Sequence, residues 1–214
     1  MLALPLTALF LLKVSACLAV IAGIVFLRIS KANHPHAAFG AANYVTAVRA
    51  LLVALIAGVI GEPRTPGLAA AAATLAIVVT MMDGVDGWLA RRSGMSSAFG
   101  ARFDMEVDAL LIMALSVLAW TYDKAGAWVI ASGLLRYLFV VAGWIWPWME
   151  RPLRPSRRRQ TVCVIQIVGL IAIVLPMVTR PISAGVAAAA LAVLAGSFFV
   201  DTWWLVLHRR EQVA

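Results

Sequence analysis

Residues 83–108 read DGVDGWLARRSGMSSAFGARFDMEVD and concentrate four aspartates in one short stretch of a mostly apolar chain. The four are Asp83, Asp86, Asp104 and Asp108. The apolar runs 68–91 and 98–121 that carry them are each long enough to span a membrane, which takes about 20 residues as a helix. Carboxylates at membrane depth are energetically expensive and usually functional. This stretch therefore decides both the fold class and the candidate chemistry.

The composition is that of an integral membrane protein. Of the 214 residues, 63% are hydrophobic and 13% are charged, whereas soluble domains have roughly 45–50% apolar and about 25% charged residues. Soluble enzyme folds are therefore excluded, and the absence of strand-like alternation argues against a membrane barrel. The predicted fold is all-α, with seven transmembrane helices. They are expected at 5–27, 43–61, 68–91, 98–121, 126–147, 160–179 and 182–207.

Basic residues predict the orientation of these helices. Most of the 18 Lys and Arg residues fall at one set of predicted helix ends, including the pairs and runs at 91–92 and 157–159, while the other set carries Arg64, Lys124 and Arg180. Lys and Arg are enriched in cytoplasmic loops. The first set, and the four aspartates near it, should therefore face the cytoplasm from the cell membrane, with the N-terminus outside. The net charge of +8 then reflects topology, and no nucleic-acid partner is expected.

Four segments are expected along the chain. These are an N-terminal transmembrane helix (1–30), a cytoplasmic interfacial linker (31–42), a membrane domain (43–207) and a cytoplasmic tail (208–214). A cleaved signal peptide at 1–30 is disfavoured, because the apolar run exceeds the usual core of about 7–15 residues and no basic head precedes it.

The acidic residues fall on faces that can meet. One helix carries Asp83, Asp86, Gly87 and Ala90, and the next carries Gly100, Asp104 and Asp108. At about 100° per residue, each set lies within a sector of about 100°. If both faces line one cavity, four negative charges converge, and they cannot all stay ionised without cations.

A pair of divalent metal ions is the economical way to neutralise this charge. Ligands that are all oxygen favour Mg²⁺ or Mn²⁺ over zinc. Two such ions would attract and clamp a diphosphate. The small residues Gly87, Ala90 and Gly100 would leave room for a nucleotide against the backbone.

One string contains all of these positions: Asp83-x2-Asp86-Gly87-x2-Ala90-Arg91-x8-Gly100-x3-Asp104-x3-Asp108. It resembles the signature of the CDP-alcohol phosphotransferase (phosphatidyltransferase) family, and every fixed position matches. The resemblance covers residues 40–207. It implies a six-helix bundle of that family, with the N-terminal helix as an additional span, and a homodimer.

The resemblance also implies a reaction. Such enzymes transfer a phosphatidyl or similar group from a CDP-linked donor to an alcohol and release CMP. By the motif match, Asp83, Asp86 and Asp104 would hold the metals, with Asp86 placed to bridge them. Asp108 would complete the acidic set and act as the general base toward the acceptor hydroxyl. Gly87, Ala90, Arg91 and Gly100 would border the CDP.

A second match lies upstream, at Asn43-x2-Thr46-x2-Arg49. It is similar to the Asn–Thr–Arg pattern that precedes the signature in this family, so the three residues are candidates for donor binding. Asn43 also fits a helix N-cap. A buried arginine needs an anionic partner, and for Arg49 either a donor phosphate or an aspartate would serve.

Candidates for acceptor binding come from basic residues near the sixth span. They are Arg154, Arg157 and Arg158, with Arg136 inside the fifth span. A guanidinium suits a phosphate through forked hydrogen bonds, although topology alone also accounts for a basic loop. Relatives have lysines here, so the resemblance is weaker at this point. Two acids are set aside as structural, namely Glu106, expected to pair with Arg102, and Asp201, expected to pair with a neighbouring basic residue.

The leading interpretation is a phospholipid-synthesis enzyme with CDP-diacylglycerol as donor. Glycerol 3-phosphate is the first acceptor expected, while serine, inositol phosphate and inositol remain open. An intramembrane prenyltransferase is disfavoured, because that class places its two Asp-rich motifs in well-separated helices. An ion transporter using intramembrane carboxylates predicts broken helices in paired halves, which the sequence does not show.

Overall fold

The computed structural model describes residues 6–28, 39–93, 97–151, 153 and 156–208. Within helices, it does not describe the side chains of residues 24, 26–28, 86, 88–91, 93 and 150. In this part of the chain there are helices and no strands, as predicted. Seven α-helices follow one another: α1 (Leu9–Arg28), α2 (Ala41–Gly58), α3 (Pro66–Ser93), α4 (Ala98–Thr121), α5 (Ala131–Ile145), α6 (Arg157–Val174) and α7 (Ile182–Leu207). Their bounds follow the seven predicted spans closely. The predicted linker 31–42 and tail 208–214 lie mostly outside the described residues.

Local sequence explains several helix boundaries. Pro66 begins α3, where its missing N–H costs nothing. The Ser97 hydroxyl accepts a hydrogen bond from the Gly100 N–H and caps α4. Gly61, with φ of +81°, turns the chain between α2 and α3 in a conformation that side chains with a Cβ disfavour.

Four segments among the described residues are long and apolar enough to cross a membrane: Ala41–Gly58, Pro66–Val85, Ala127–Ile145 and Ile182–Leu207. Leu9–Gly23 is a shorter apolar segment. The protein is thus an all-helical polytopic membrane protein, as the composition predicts. Crossing by all seven helices, and the direction of crossing, stay predictions.

The centre of the bundle is formed by α2, α3, α4 and α6, with α2 and α6 each packed against both α3 and α4. Small residues allow this close packing, since Ala72, Ala73 and Ala76 of α3 are fully buried. Two glycines mark the points where outer helices approach it. A Cβ at Gly58 of α2 would stand 2.6 Å from Val14 of α1, and a Cβ at Gly133 of α5 would stand 2.7 Å from the Met113 Cα of α4.

One end of the bundle is closed by polar contacts between its loops. Lys124, between α4 and α5, donates hydrogen bonds to the carbonyls of Leu175 and Val178 at 2.9 and 2.5 Å. A lysine at this position satisfies carbonyls that a helix end leaves unpaired. The Ser183 hydroxyl of α7 in turn donates to the Lys124 carbonyl at 2.6 Å. These contacts tie α6 and α7 to the α4–α5 loop.

At the same end, α1 is held by a set of contacts that we call the N-terminal latch: Thr7, Lys13 and Glu62. The buried Glu62 carboxylate accepts hydrogen bonds from Lys13 Nζ at 2.5 Å, from the Thr7 N–H at 2.6 Å and from the Thr7 hydroxyl at 2.8 Å. Lys13 also donates to the Ile60 carbonyl at 2.8 Å. The lysine that interrupts the first apolar run therefore faces a helix interface.

Candidate active site

The opposite end of the bundle brings three of the four predicted aspartates together. Asp83 extends from α3, and Asp104 and Asp108 extend from successive turns of α4. Each offers one carboxylate oxygen, and these three oxygens lie within 4.8 Å of one another. We call Asp83, Asp104 and Asp108 the acidic cluster. The side chains are 37%, 37% and 21% exposed, so the cluster is reachable from outside.

Arg49 of α2 lies at the centre of the acidic cluster and is completely buried. Its guanidinium contacts Asp104 at 2.5 Å, Asp108 at 2.6 Å and Asp83 at 2.8 Å. Of the two anionic partners that the sequence allows for Arg49, the structure shows the aspartates. The three-helix junction is therefore organised by charge as well as by packing.

Arg49 alone does not balance the negative charge of this junction. One guanidinium carries a single positive charge, while three ionised carboxylates carry three negative charges, and like charges this close cannot all persist without more cations. The available ligand atoms are carboxylate oxygens, which suit hard divalent cations such as Mg²⁺ and Mn²⁺. The residues present thus fit a divalent metal ion, as the sequence predicts.

A cavity of about 850 Å³ opens beside the acidic cluster. Five helices, α3 to α7, contribute to its wall. Its polar and charged lining comprises Thr80, Asp83, Asp104, Asp108, Ser132, Arg136, Ser156, Arg159, Gln160, Ser197 and Asp201. Gly87, a predicted nucleotide-facing position, also lines it. Three of its carboxylates lie on α3 and α4 and a fourth, that of Asp201, lies on α7, while arginines extend from α5 and α6.

Arg136, predicted as an acceptor-binding residue, lines this cavity and forms an ion pair with Glu106 at 2.5 Å. The predicted pairing of Glu106 with Arg102 is therefore wrong. Arg102 is exposed, whereas Arg136 faces Glu106 across the α4–α5 interface, where an ion pair is less screened by water. As expected, Glu106 is outside the group of carboxylates that could share a metal.

A second charged group joins α6 to α7. Arg158 contacts Asp201 at 2.5 Å and donates to the Ser197 hydroxyl at 2.7 Å, and Arg159 approaches the same carboxylate at 3.4 Å. The expectation that Asp201 pairs with a basic residue is confirmed. Arg157 is exposed at the start of α6, and neither it nor Arg158 is among the described residues of the cavity wall.

Asn43 and Thr46, predicted for donor binding, are buried on the first turns of α2. Asn43 donates to the Phe39 carbonyl at 2.5 Å, and the Thr46 hydroxyl donates to the Ala42 carbonyl at 3.1 Å. A Cβ at Gly100 would stand 2.8 Å from the Asn43 side-chain oxygen. The small residue at position 100 thus lets α2 and α4 approach each other.

Several predicted site residues cannot be placed. Asp86, Ala90 and Arg91 belong to α3, but their side chains lie outside the described part of the chain, and so does Arg154 as a whole. Conversely, Ser132, Arg159, Ser197 and Asp201 line the cavity without having been predicted as site residues. They lie far from the signature in sequence, and no local spacing links them to it.

The comparison with known families agrees with the geometry. The family model for CDP-alcohol phosphatidyltransferase matches residues 39–204. The chain therefore belongs to the CDP-alcohol phosphatidyltransferase family. It is a membrane transferase with an alcohol acceptor, from a family that generally depends on divalent metals. The transporter and prenyltransferase alternatives are thereby set aside. No solved structure gives a significant match.

Proposed function

We propose that the protein transfers the phosphatidyl group of CDP-diacylglycerol to a small polar alcohol and releases CMP, in phospholipid biosynthesis. The observation that supports this proposal most directly is the acidic cluster, whose three carboxylate oxygens lie within 4.8 Å of one another beside a cavity of about 850 Å³. A reaction on a diphosphate needs concentrated positive charge at that point, and an unbalanced acidic cluster is where divalent cations collect.

Asp83, Asp86 and Asp104 would hold two ions of Mg²⁺ or Mn²⁺, and Asp108 would complete the set. When bound, such ions neutralise negative charge that develops on the transferring phosphate. The α3 and α4 helices fix the carboxylates for this purpose, because each side chain extends from the interior of a regular helix. Arg49 contacts Asp83, Asp104 and Asp108 from α2 and offsets part of the repulsion among them.

Asp108 is proposed as the general base. It lies deepest along α4, it is the least exposed of the cluster, and it lines the cavity. Its carboxylate accepts the proton of the acceptor hydroxyl as that oxygen bonds to the phosphatidyl phosphorus. The bond between this phosphorus and the CMP oxygen breaks, and CMP leaves with the bonding electrons. A positioned base of this kind contributes about 10²- to 10⁴-fold to a rate.

The donor nucleotide is proposed to lie along the cavity side of α3 and the start of α2. Gly87 supports this placement because it lines the cavity. Ala90, Arg91 and Gly100 follow from the family signature, and Asn43, Thr46 and Arg49 from the upstream pattern. Arg49 lies within the acidic cluster, so a diphosphate brought there by metal ions would meet its guanidinium as well.

The acceptor is proposed to approach from the arginine side. Arg136 supports this because it lines the cavity next to α4, and Arg154, Arg157 and Arg158 are proposed to draw an anionic acceptor to the entrance. Glycerol 3-phosphate is the first candidate, and serine, inositol phosphate and inositol are the alternatives. We further propose a homodimer in the cell membrane with the cavity facing the cytoplasm, as the distribution of Lys and Arg favours.

The test is an assay of purified protein in detergent with CDP-diacylglycerol, Mn²⁺ or Mg²⁺ and each acceptor in turn, with CMP release as the readout. We expect metal-dependent CMP release with one acceptor and none in excess EDTA. Glu62→Gln serves as a control, because it alters a buried carboxylate at the opposite end of the bundle. CMP release that is independent of divalent metal would contradict the proposal.

A further inference from the structure

Three polar residues join the first turn of α6 to α7, and we call them the α6–α7 clasp: Arg158, Ser197 and Asp201. The Arg158 guanidinium donates to the Ser197 carbonyl at 2.8 Å and to the Ser197 hydroxyl at 2.7 Å. It also donates to the Asp201 carboxylate at 2.5 Å. Ser197 and Asp201 are buried residues of the cavity wall. Arg158 is thus held by α7 at three points.

The clasp suits an arginine in particular. A guanidinium offers five N–H donors in a planar fork, so one side chain can bind a carbonyl, a hydroxyl and a carboxylate at the same time. The Arg158 side chain is 35% exposed and that of Asp201 is 12% exposed. Arg159 approaches the same carboxylate at 3.4 Å. Asp201 therefore has a second cation nearby when Arg158 is replaced.

Neighbouring residues of α7 support two walls of the cavity. On one side, Phe198 packs on Phe139 of α5, with ring centroids 5.6 Å apart. On the other side, the clasp holds α6. Arg159, Gln160 and Cys163 of the first two turns of α6 line the cavity. The position of these three side chains relative to the acidic cluster therefore depends on how α6 is held to α7.

We propose that the α6–α7 clasp is a positioning element for the transfer reaction. Ser197 and Asp201 hold Arg158, so that the first turns of α6 stand at the distance from α3 and α4 at which donor and acceptor react. The three are positioning residues, because their contacts join one helix to another. This inference rests on the proposed function and gives Arg158 a role apart from any attraction of an anionic acceptor.

Arg158→Gln and Asp201→Asn test the clasp, because both break it while they change the local charge in opposite directions. We expect both variants to lower kcat for CMP release by about 10- to 100-fold, since a misplacement of about 1 Å can cost about 10²-fold in rate. The melting temperature should change little, because partly exposed ion pairs contribute little to stability.

A purely electrostatic role for Arg158 gives a different pattern. Attraction of an anionic acceptor acts on binding, so Arg158→Gln would raise the acceptor KM, Asp201→Asn would lower it, and kcat would stay the same in both. That pattern would overturn the clasp, and so would a kcat that fell in only one of the two variants. A lower melting temperature with unchanged kcat would assign the clasp to stability alone and overturn its positioning role.

Two further variants keep this test decisive. Arg64→Gln is the matched control, because Arg64 pairs with Asp123 at 3.5 Å at the opposite end of the bundle; it should leave kcat and both KM values unchanged. Ser197→Ala removes one hydroxyl and keeps the carbonyl contact, so it should lower kcat less than the charge variants do. If a charge variant fails to fold, an unchanged kcat in Ser197→Ala would overturn the clasp.

Thiol modification of Cys163 provides a readout that does not depend on activity. Cys163 and Cys17 are the two cysteines of the chain, so every protein is prepared with Cys17→Ser. N-ethylmaleimide is uncharged, and its access to the cavity reports how firmly α6 is held. Arg158→Gln and Asp201→Asn should both raise the labelling rate severalfold, while Arg64→Gln should not.

Unchanged labelling of Cys163 in both charge variants would overturn the clasp. If the unaltered protein released no CMP with any acceptor, the proposed function would fail. The labelling rates would still decide whether the clasp holds α6 against α7, so the two failures are distinguishable.

Discussion

The two ends of the bundle each bury a charged group, and they differ in how the charges balance. In the N-terminal latch, one carboxylate, Glu62, meets one ammonium group and three donated hydrogen bonds. In the acidic cluster, three carboxylates meet the single guanidinium of Arg49. The latch pairs its carboxylate with one cation, whereas the three carboxylates of the acidic cluster carry more negative charge than Arg49 neutralises.

This difference distinguishes a charged group that stabilises the fold from one that binds a ligand. A buried ion pair whose lone pairs are all satisfied fixes two elements relative to each other, here α1 and the loop after α2, and loses stability when one partner is removed. A group of like charges held close together costs stability until a ligand arrives. Buried charged residues therefore have to be compared by charge balance as well as by burial, since Glu62 is more deeply buried than Asp83.

The largest expected effect is that of Asp108→Asn. This change keeps the shape of the side chain but removes the proposed proton acceptor, so kcat for CMP release should fall by about 10²- to 10⁴-fold. The melting temperature should be maintained, because one of three repelling charges is lost. Donor binding should remain largely intact. An enzyme that stayed fully active after Asp108→Asn would contradict the assignment of the base.

The next effect is on metal-dependent stability. Mn²⁺ at about 100 times its dissociation constant should stabilise the protein by about 2.7 kcal/mol if it binds only the folded state, measured as a rise in melting temperature. Asp104→Asn should lose most of this rise, since it removes a ligand, while Glu62→Gln should keep it. If both variants responded to Mn²⁺ in the same way, the claim that only the acidic cluster binds the metal would be contradicted.

Glu62→Gln should lower stability and leave activity unchanged, whereas Asp108→Asn should lower activity and leave stability unchanged. The amide cannot balance the Lys13 ammonium, and the hold on α1 weakens, so the melting temperature should fall. The folded fraction should retain its kcat and both KM values, because the latch lies at the far end of the bundle from the cavity. Loss of activity in fully folded Glu62→Gln protein would show that the two ends are coupled.

The smallest effect concerns pH. The Lys13 ammonium, followed by the Thr7 N–H, lowers the pKa of Glu62 below its ordinary value of 4.5. A lowered carboxyl pKa contributes stability that is present above the unfolded pKa and is lost as pH falls through the folded pKa. The melting-temperature difference between the unaltered protein and Glu62→Gln should therefore be constant near neutral pH and shrink below pH 4.5. If this melting-temperature difference grew as the pH fell below 4.5, the ionised Glu62 carboxylate would not be the stabilising form, and the proposed role of the latch would be contradicted.

The helices were predictable because apolar periodicity and length decide what can cross a membrane. The span predicted at 98–121 is α4 as the structure has it, Ala98–Thr121. The convergence of Asp83 with Asp104 and Asp108 followed from helix geometry, since all three positions lie near one turn between consecutive helices. The need of a buried arginine for an anion predicted the kind of partner that Arg49 has.

Contacts between distant helices were not predictable from local spacing. Arg136 lies thirty positions from Glu106, and nothing in the sequence ranks it above Arg102, which has the favourable spacing of an intrahelical pair. The tertiary fold decides the matter, because it places Arg136, whose side chain is 28% exposed, opposite Glu106 and leaves Arg102 exposed. Glu62, in the loop after α2, was missed for the same reason, because its partner Lys13 belongs to α1 and 49 positions separate them.

The central claim is that the acidic cluster binds divalent metal, and anomalous X-ray diffraction from crystals grown with Mn²⁺ tests it most directly. The account predicts anomalous density between Asp83, Asp104 and Asp108, with metal–oxygen distances of roughly 2.0–2.3 Å. Such density should be absent from crystals of the Asp104→Asn variant. Manganese bound elsewhere in the protein, with none at these three carboxylates, would contradict it.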